Sequence, residues 1–327
     1  MPVRQTESRI PASLQASDLG EAVVAGDGKS AMVSFITSPL VIGRENIFVV
    51  FVTDAALAAD VSTYHWSFTE DGNPASSQTT SVGECAYSPV SEGALAINVT
   101  LKNAANADLA GLALGQQIVP PNAELEGLIT DAQNQSGPGI SNLGVARELI
   151  NDHNPYYQSV APAAADADFR PFVFGFVNEG ALQRSHADRK AHLSRLADSL
   201  NGVTGGFAVE AGQGAGVCGL RLALLAMVIG GPALPWTELP EAASARAAAD
   251  DALNQNLAGL AENTRLDLFN CARFPKSNIT QSARVIEALR DHYFSGKNFG
   301  DDMTVLSGTR ATWMIRHFRE GPILRNP

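Results

Sequence analysis

Between residues 64 and 68 the chain alternates large aromatics with smaller polar residues: Tyr64, Trp66 and Phe68 are separated by His65 and Ser67. A period of two places all three rings on one face of a strand, and only a second layer packed on that face keeps them dry. Asp71-Gly72-Asn73-Pro74 follows at once and supplies a turn, because Gly accepts positive φ and Pro fixes its own. Upstream, Ile47-Phe48-Val49-Val50-Phe51-Val52 is a continuous apolar run between polar boundaries, which suits a strand buried on both faces. Downstream, Leu95, Ile97, Val99 and Leu101 alternate on one side of a further strand, and Asn103 to Asn106 breaks it. Short strands separated by turn signals over residues 30–120 predict a β-sandwich. Within it, Trp66 reads as a core anchor rather than a ligand-stacking platform. Asp71 reads as a turn residue rather than a metal ligand, since no second acidic cluster adjoins it.

The run Tyr64-x-Trp66-x-Phe68-x-x-Asp71-Gly72, then Ala86-Tyr87-Ser88-Pro89 and Gly93 to Leu101, resembles the PKD-type immunoglobulin-like domain. That family carries a Y-x-W-x-F-G-D-G turn and a Tyr-Pro-x-x-Gly stretch leading into an alternating strand. This chain departs from it at Thr69-Glu70, where the family has Gly before Asp-Gly. The resemblance covers roughly 70–80 residues, one module on domain-size grounds. It implies an immunoglobulin-like sandwich acting as a spacer or protein-contact module, and it implies no catalysis.

The remainder divides into an N-terminal extension, residues 1–29, and a mainly α-helical domain, residues 121–327, so the expected class is α+β multidomain. Pro120-Pro121 closes the sandwich, and Asn122 is a candidate cap for a helix through Gln133. Residues 178–200 read as the best helix, with Leu182, His186, Leu193, Leu196 and Leu200 near one stripe and a basic cluster from Arg184 to Arg195 around it. Helical patterns recur at 217–229, 240–269, 277–294 and 309–319, with Asn278 a candidate cap for the third of these last four. No repeat of solenoid length is present.

Composition narrows the function classes. The 327 residues hold 23 basic and 34 acidic side chains, a net charge of −11 at pH 7, and only 17% are charged. Nucleic-acid and anionic-membrane binding both need a basic face, so neither is expected. No apolar segment approaches the roughly 20 residues that span a bilayer, so membrane insertion is not expected. No secretory signal follows the first basic residues, so synthesis in the cytoplasm is expected, with export or incorporation into an extracellular particle left open. Cys85, Cys218 and Cys271 are an odd, widely separated set that implies neither a disulfide framework nor a zinc site. No cofactor and no metal is expected.

The chemistry-bearing candidate is Gly212-Gln213-Gly214-Ala215-Gly216-Val217-Cys218-Gly219 running into an apolar helix. A cysteine at a helix N-terminus has its thiolate stabilised by the dipole and free amides. Gln213 is placed to donate to an oxyanion, loosely resembling papain-like and C39-like hydrolases, and His292 or His317 would have to serve as base. The plain alternative is a buried cysteine acting as a small hydrophobe beside a tight glycine loop. Glu179, Asp188, Asp198 and Glu210 have no fixed separation for glycoside hydrolysis. His186 and His192 are six apart, the wrong interval for a shared metal. Two functions follow. The first is a non-enzymatic structural or interaction protein that contacts a protein partner or its own copies, as in a homo-oligomer, a phage-like or injection-particle component, or a surface complex. The second is a cysteine hydrolase acting on cell wall or peptide, with Cys218, Gln213 and His292 as its site and the sandwich for targeting.

Overall fold

A computed structural model describes residues 19–36, 38–121, 186–200, 214–216, 218–228, 237–238, 257, 259–293 and 323–324. They fall into two units, Met1–Glu126 with Phe274–Lys276, and Gly127–Arg273 with Ser277–Pro327.

The first unit holds nine strands: β1 (Ala22–Val24), β2 (Ser30–Ser34), β3 (Leu40–Val41), β4 (Asn46–Val52), β5 (Thr63–Glu70), β6 (Asn73–Thr80), β7 (Glu84–Tyr87), β8 (Gly93–Lys102) and β9 (Asp108–Val119). A short helix, α1 (Ala55–Asp60), joins β4 to β5, with Asp54 accepting from the Leu57 amide at 2.8 Å as its N-cap. The strands form two sheets, β1-β2-β4-β7 and β3-β9-β8-β5-β6. Residues 30–41 serve both sheets, since β2 runs antiparallel to β4 while β3 runs parallel to β9. Read as immunoglobulin strands, one sheet is A-B-E with an added hairpin strand and the other is A′-G-F-C-C′. That order, with a buried Trp66 on the C-equivalent strand, defines an immunoglobulin-like β-sandwich. The sandwich starts at Ala22, inside the segment expected to precede it, and ends where the prolines at 120 and 121 require.

Alternation decides the core. Tyr64, Trp66 and Phe68 meet Leu95, Ile97, Val99, Leu101, Leu112 and Leu114 on one sheet and Met32, Phe48, Val50 and Val52 on the other. Burying each such side chain stabilises the fold by roughly 1.5–3 kcal/mol. The Trp66 indole N–H donates to Thr80 Oγ1 at 3.0 Å, so its polar edge is satisfied. The continuous run in β4 is buried on both faces, as its lack of alternation requires: Val49 and Phe51 are as inaccessible as Phe48 and Val50. The turn between β5 and β6 is tighter than the four-residue reading. Asp71 and Gly72 alone make it, with φ of 48° and 79°, as a two-residue hairpin loop of the primed type does. Pro74 therefore lies inside β6, where it is tolerated because β6 is an edge strand.

Polar groups tie the two sheets together at one end. Gln116 of β9 donates to Ser34 Oγ at 3.0 Å and to the Ile36 carbonyl at 2.8 Å, while Asn46 of β4 donates to the same Ser34 Oγ at 2.7 Å. Asn46 Oδ1 in turn accepts from the amides of Ile36 and Ile47. Ser34, Asn46 and Gln116 are all buried, so each bond replaces a water the group has lost.

Among the described residues, the second unit contains α2 (His186–Leu200), α3 (Leu222–Val228), α4 (Glu262–Arg273) and α5 (Pro275–Tyr293). Two-residue strands β10 (Thr237–Glu238) and β11 (Ile323–Leu324) pair in parallel. In α2 Leu196 and Leu200 of the expected stripe are buried and Leu193 is half-buried, with His192 and Ser199 buried beside them; Leu182 and the His186 side chain lie outside the described residues. The long pattern expected over 240–269 does not continue as one helix: residues 259–260 turn, and α4 starts at Glu262. Pro275 opens α5, fitting a first helical position that needs no N–H, and this puts Asn278 inside the first turn rather than at the cap. The expected helices at 123–133 and 309–319 lie outside the described residues.

Replacing Gln116 by Leu removes two inter-sheet bonds and leaves the half-buried Ile36 carbonyl with the Ser34 hydroxyl as its donor. Urea unfolding followed by near-UV circular dichroism should show a loss of about 2–3 kcal/mol.

Candidate functional site

Cys218 sits in a loop whose geometry the glycines set. Ala215 and Leu220 exchange backbone hydrogen bonds at 2.7 and 2.9 Å, closing the chain on itself two residues before α3 begins at Leu222. Gly216 has φ of 71°, and a Cβ there would lie 2.3 Å from the Ala272 carbonyl oxygen, so no larger residue fits. Asn278 of α5 locks this loop. Its Oδ1 accepts from the Cys218 amide at 2.9 Å, and its Nδ2 donates to the carbonyls of Ala215 and Ala272 at 3.1 and 2.9 Å. Both amide protons and the amide oxygen of this fully buried side chain are thus engaged by backbone.

The same packing governs the thiol. Cys218 is 5% exposed, and burial pushes its pKa up to about 12 against a smaller opposing effect from the Ser282 hydroxyl. A nucleophilic thiolate needs the reverse, an electropositive and accessible setting. Helix α3 begins four residues after Cys218, and the Cys218 amide is already committed to Asn278. Cys271 is likewise pushed up to about 12, by burial and then by Asp267, and Cys85 to about 11, by burial and then by Glu84. All three thiols are free and buried. Gln213 and His317 lie outside the described residues, as do Glu179 and Glu210; His292 is on the last turn of α5, and its side chain is outside them too. Among the described residues, Cys218 is joined to Asn278 and Ser282.

The most organised polar site belongs to a residue that sequence reasoning passed over as a departure from a motif. Glu70, the last residue of β5, is 4% exposed. One carboxylate oxygen accepts from the Tyr87 hydroxyl at 2.5 Å and the Val90 amide at 2.9 Å. The other accepts from the Ser91 amide at 2.8 Å and the Ser91 hydroxyl at 2.5 Å. Burial raises the carboxyl pKa, and the four donors more than reverse this, holding it below its ordinary value. Tyr87 also stacks on Phe68 with centroids 4.1 Å apart, so the carboxylate joins the core to the β7–β8 loop. Next door, Asp71 exchanges backbone and side-chain bonds with Ala94. Gly93, with φ of 123°, leaves room for the Asp71 carboxylate, which a Cβ would approach to 2.5 Å. Glu before Asp-Gly at the end of an aromatic strand is the signal that would have located this latch.

Among the described residues, no group of three or more His, Cys, Asp or Glu is placed to hold a metal. No described helix is long and apolar enough to cross a membrane, which leaves β-barrels unaddressed.

What the fold and these sites define is a protein with an immunoglobulin-like β-sandwich that holds a hydrogen-bonded buried carboxylate, in a chain with three buried free thiols. No protein-family model matches the chain. No curated protein matches it either. Three solved structures resemble parts of it. The fibronectin(III)-like modules of Clostridium thermocellum CbhA match at TM-score 0.20 and 16% identity, over 28% of this chain and 99% of that one. The CARDB domain of the PF1109 protein from Pyrococcus furiosus, in complex with di-metal ions, matches at 0.17 and 14%, over 24% and 78%. A β-1,2-glucanase from Parabacteroides distasonis matches at 0.22 and 13%, over 49% and 22%. At these TM-scores the likenesses carry no argument, and the sandwich assignment rests on its own strand order.

Two outcomes are expected. Glu70→Gln turns an amide NH2 toward the Ser91 donors and should cost about 2–3 kcal/mol at pH 7. Because the Glu70 carboxyl is depressed in the fold, its contribution is complete above its ordinary pKa of 4.5 and fades as pH falls through the lower folded value. Denaturant titrations should therefore show the gap between native chain and variant narrowing below pH 4.5. Separately, iodoacetamide at pH 8 should leave Cys218 unmodified in the folded chain and label it once the chain is unfolded in urea.

Proposed function

We propose that this chain is a non-enzymatic structural or interaction protein. Its sandwich serves as a spacer and docking module, and its second unit, mainly helical, packs into a larger assembly. The observation that carries this reading is the use to which the reactive-looking groups are put. The Glu70 carboxylate holds a loop, and the Cys218 thiol is buried behind an Asn278 lock. A PKD-type module is the finer reading of the sandwich, supported by the Tyr64-x-Trp66-x-Phe68 strand and the Asp71-Gly72 turn. In it Glu70 takes over the place of the family's glycine and trades turn freedom for a carboxylate latch.

The partners are a second protein or copies of this chain, without nucleic acid, membrane insertion or cofactor. Synthesis in the cytoplasm is followed by incorporation into a particle or surface complex. Cross-linking of the full chain in an extract of its host, with mass identification of the products, tests this. Abundant links to its own copies or to one dominant protein are expected. A chain that stays uncrosslinked, together with a Cys218 that alkylates while folded, would overturn the reading in favour of a cysteine hydrolase.

A further inference from the structure

The sandwich is acidic, yet the outward face of its larger sheet is nearly free of charge. Residues 19–121 hold ten Asp or Glu against three Lys or Arg. In β5, β6, β8 and β9 the charged residues are Glu70, which is buried, and Lys102 and Asp108, which pair with each other at 2.7 Å at the end of the sheet. From Thr63 to Thr69 on β5, from Ala94 to Thr100 on β8 and from Gly111 to Gln117 on β9, the outward positions are Gly, Ala, Ser, Thr, Asn, Gln or His. Strand β6 has no charged residue at all. The register lines up Ala113, Asn98, Ser67 and Ser77 in one row across four strands, and all four are exposed.

Edge strands of soluble proteins are commonly blunted by charged side chains, and the edge strand β6 carries none. Here the acidic residues lie off this face, so it is where two copies approach with least repulsion. Small side chains make it level, and Ser, Thr, Asn and Gln both donate and accept, so the face can satisfy an identical face turned by a two-fold axis. Four strands about nine residues long span roughly 20 by 30 Å, or about 600 Å² in flat projection per copy. That is near the low end of specific interfaces, where weak complexes are found.

We propose that the β6-β5-β8-β9 face is a self-association surface, on which a second copy of this chain packs sheet to sheet about a two-fold axis. This rests on the assembly reading above and names the partner and the surface. Two acidic copies held together by an uncharged face associate more tightly as salt screens their repulsion.

Sedimentation of the full chain from about 1 to 300 µM tests it, since weak interfaces of this size bind in the micromolar range. A species of twice 34.4 kDa should form, and more readily at 0.5 M than at 0.05 M salt. Asn98→Arg and Asn98→Glu, both at an exposed position, should each raise the dissociation constant at least about a hundredfold, because like charges would face each other. An equal mixture of the two variants should recover the dimer, a readout that a misfolded variant cannot give. Self-association that persists unchanged in both variants would overturn this surface while leaving the assembly reading standing. A mass of 34.4 kDa at every concentration would overturn self-association itself, and the cross-linking experiment then decides the wider reading alone.

Discussion

The hydrogen bonds of Gln116 to Ser34 and the Ile36 carbonyl govern how the two sheets of the sandwich meet. Alternation forbids a one-residue slip, which would turn the apolar face outward, but a two-residue slip keeps the pattern and is decided by side-chain fit and polar contacts. A buried amide is such a contact. It fixes β9 against β2 at one residue, and Asn46 fixes β4 to the same hydroxyl. The alternating leucines and aromatics supply the stability, and this polar contact selects one arrangement among those they allow. From it follows the placement of the strand ends, including Glu70 at the end of β5 and the loop that its carboxylate holds.

Buried polar groups do similar work in the second unit. Asn278 makes three hydrogen bonds to the backbone of Cys218, Ala215 and Ala272, so the glycine loop and the two helices on either side of Phe274 are set together. In both units, then, a side chain of a type often found in active sites is hydrogen-bonded by its own chain. Both side chains are buried and engaged within their own chain, where a substrate would have to displace existing hydrogen bonds to reach them.

The parts of this structure that sequence made legible are those where one physical rule acts alone. Period two exposed β5 and β8, unbroken apolarity exposed β4 as a strand buried on both faces, and Pro120-Pro121 marked the end of the sandwich. Trp66 lies in the core as its alternation required. What escaped needed long-range partners. Asn278 looked like a helix cap because capping is local, whereas its partners are 6 to 63 positions away. Glu70 looked like a flaw in a turn, since its four donors come from residues 17 to 21 positions on. In α2 the buried Leu196 and Leu200 follow the apolar stripe, whereas the burial of His192 follows no local polarity rule. The same limit holds for Cys218: a Gly-rich approach to an apolar helix describes a nucleophile's setting and a packed loop equally well, and burial separates them.

Surfaces that act by contact should show it in the mass of the free protein. Light scattering of the full chain as concentration rises is therefore the most direct measurement. The account predicts a reversible rise from 34.4 kDa toward twice that value, steeper at high salt. A constant 34.4 kDa across the range, in high salt as in low, would contradict it.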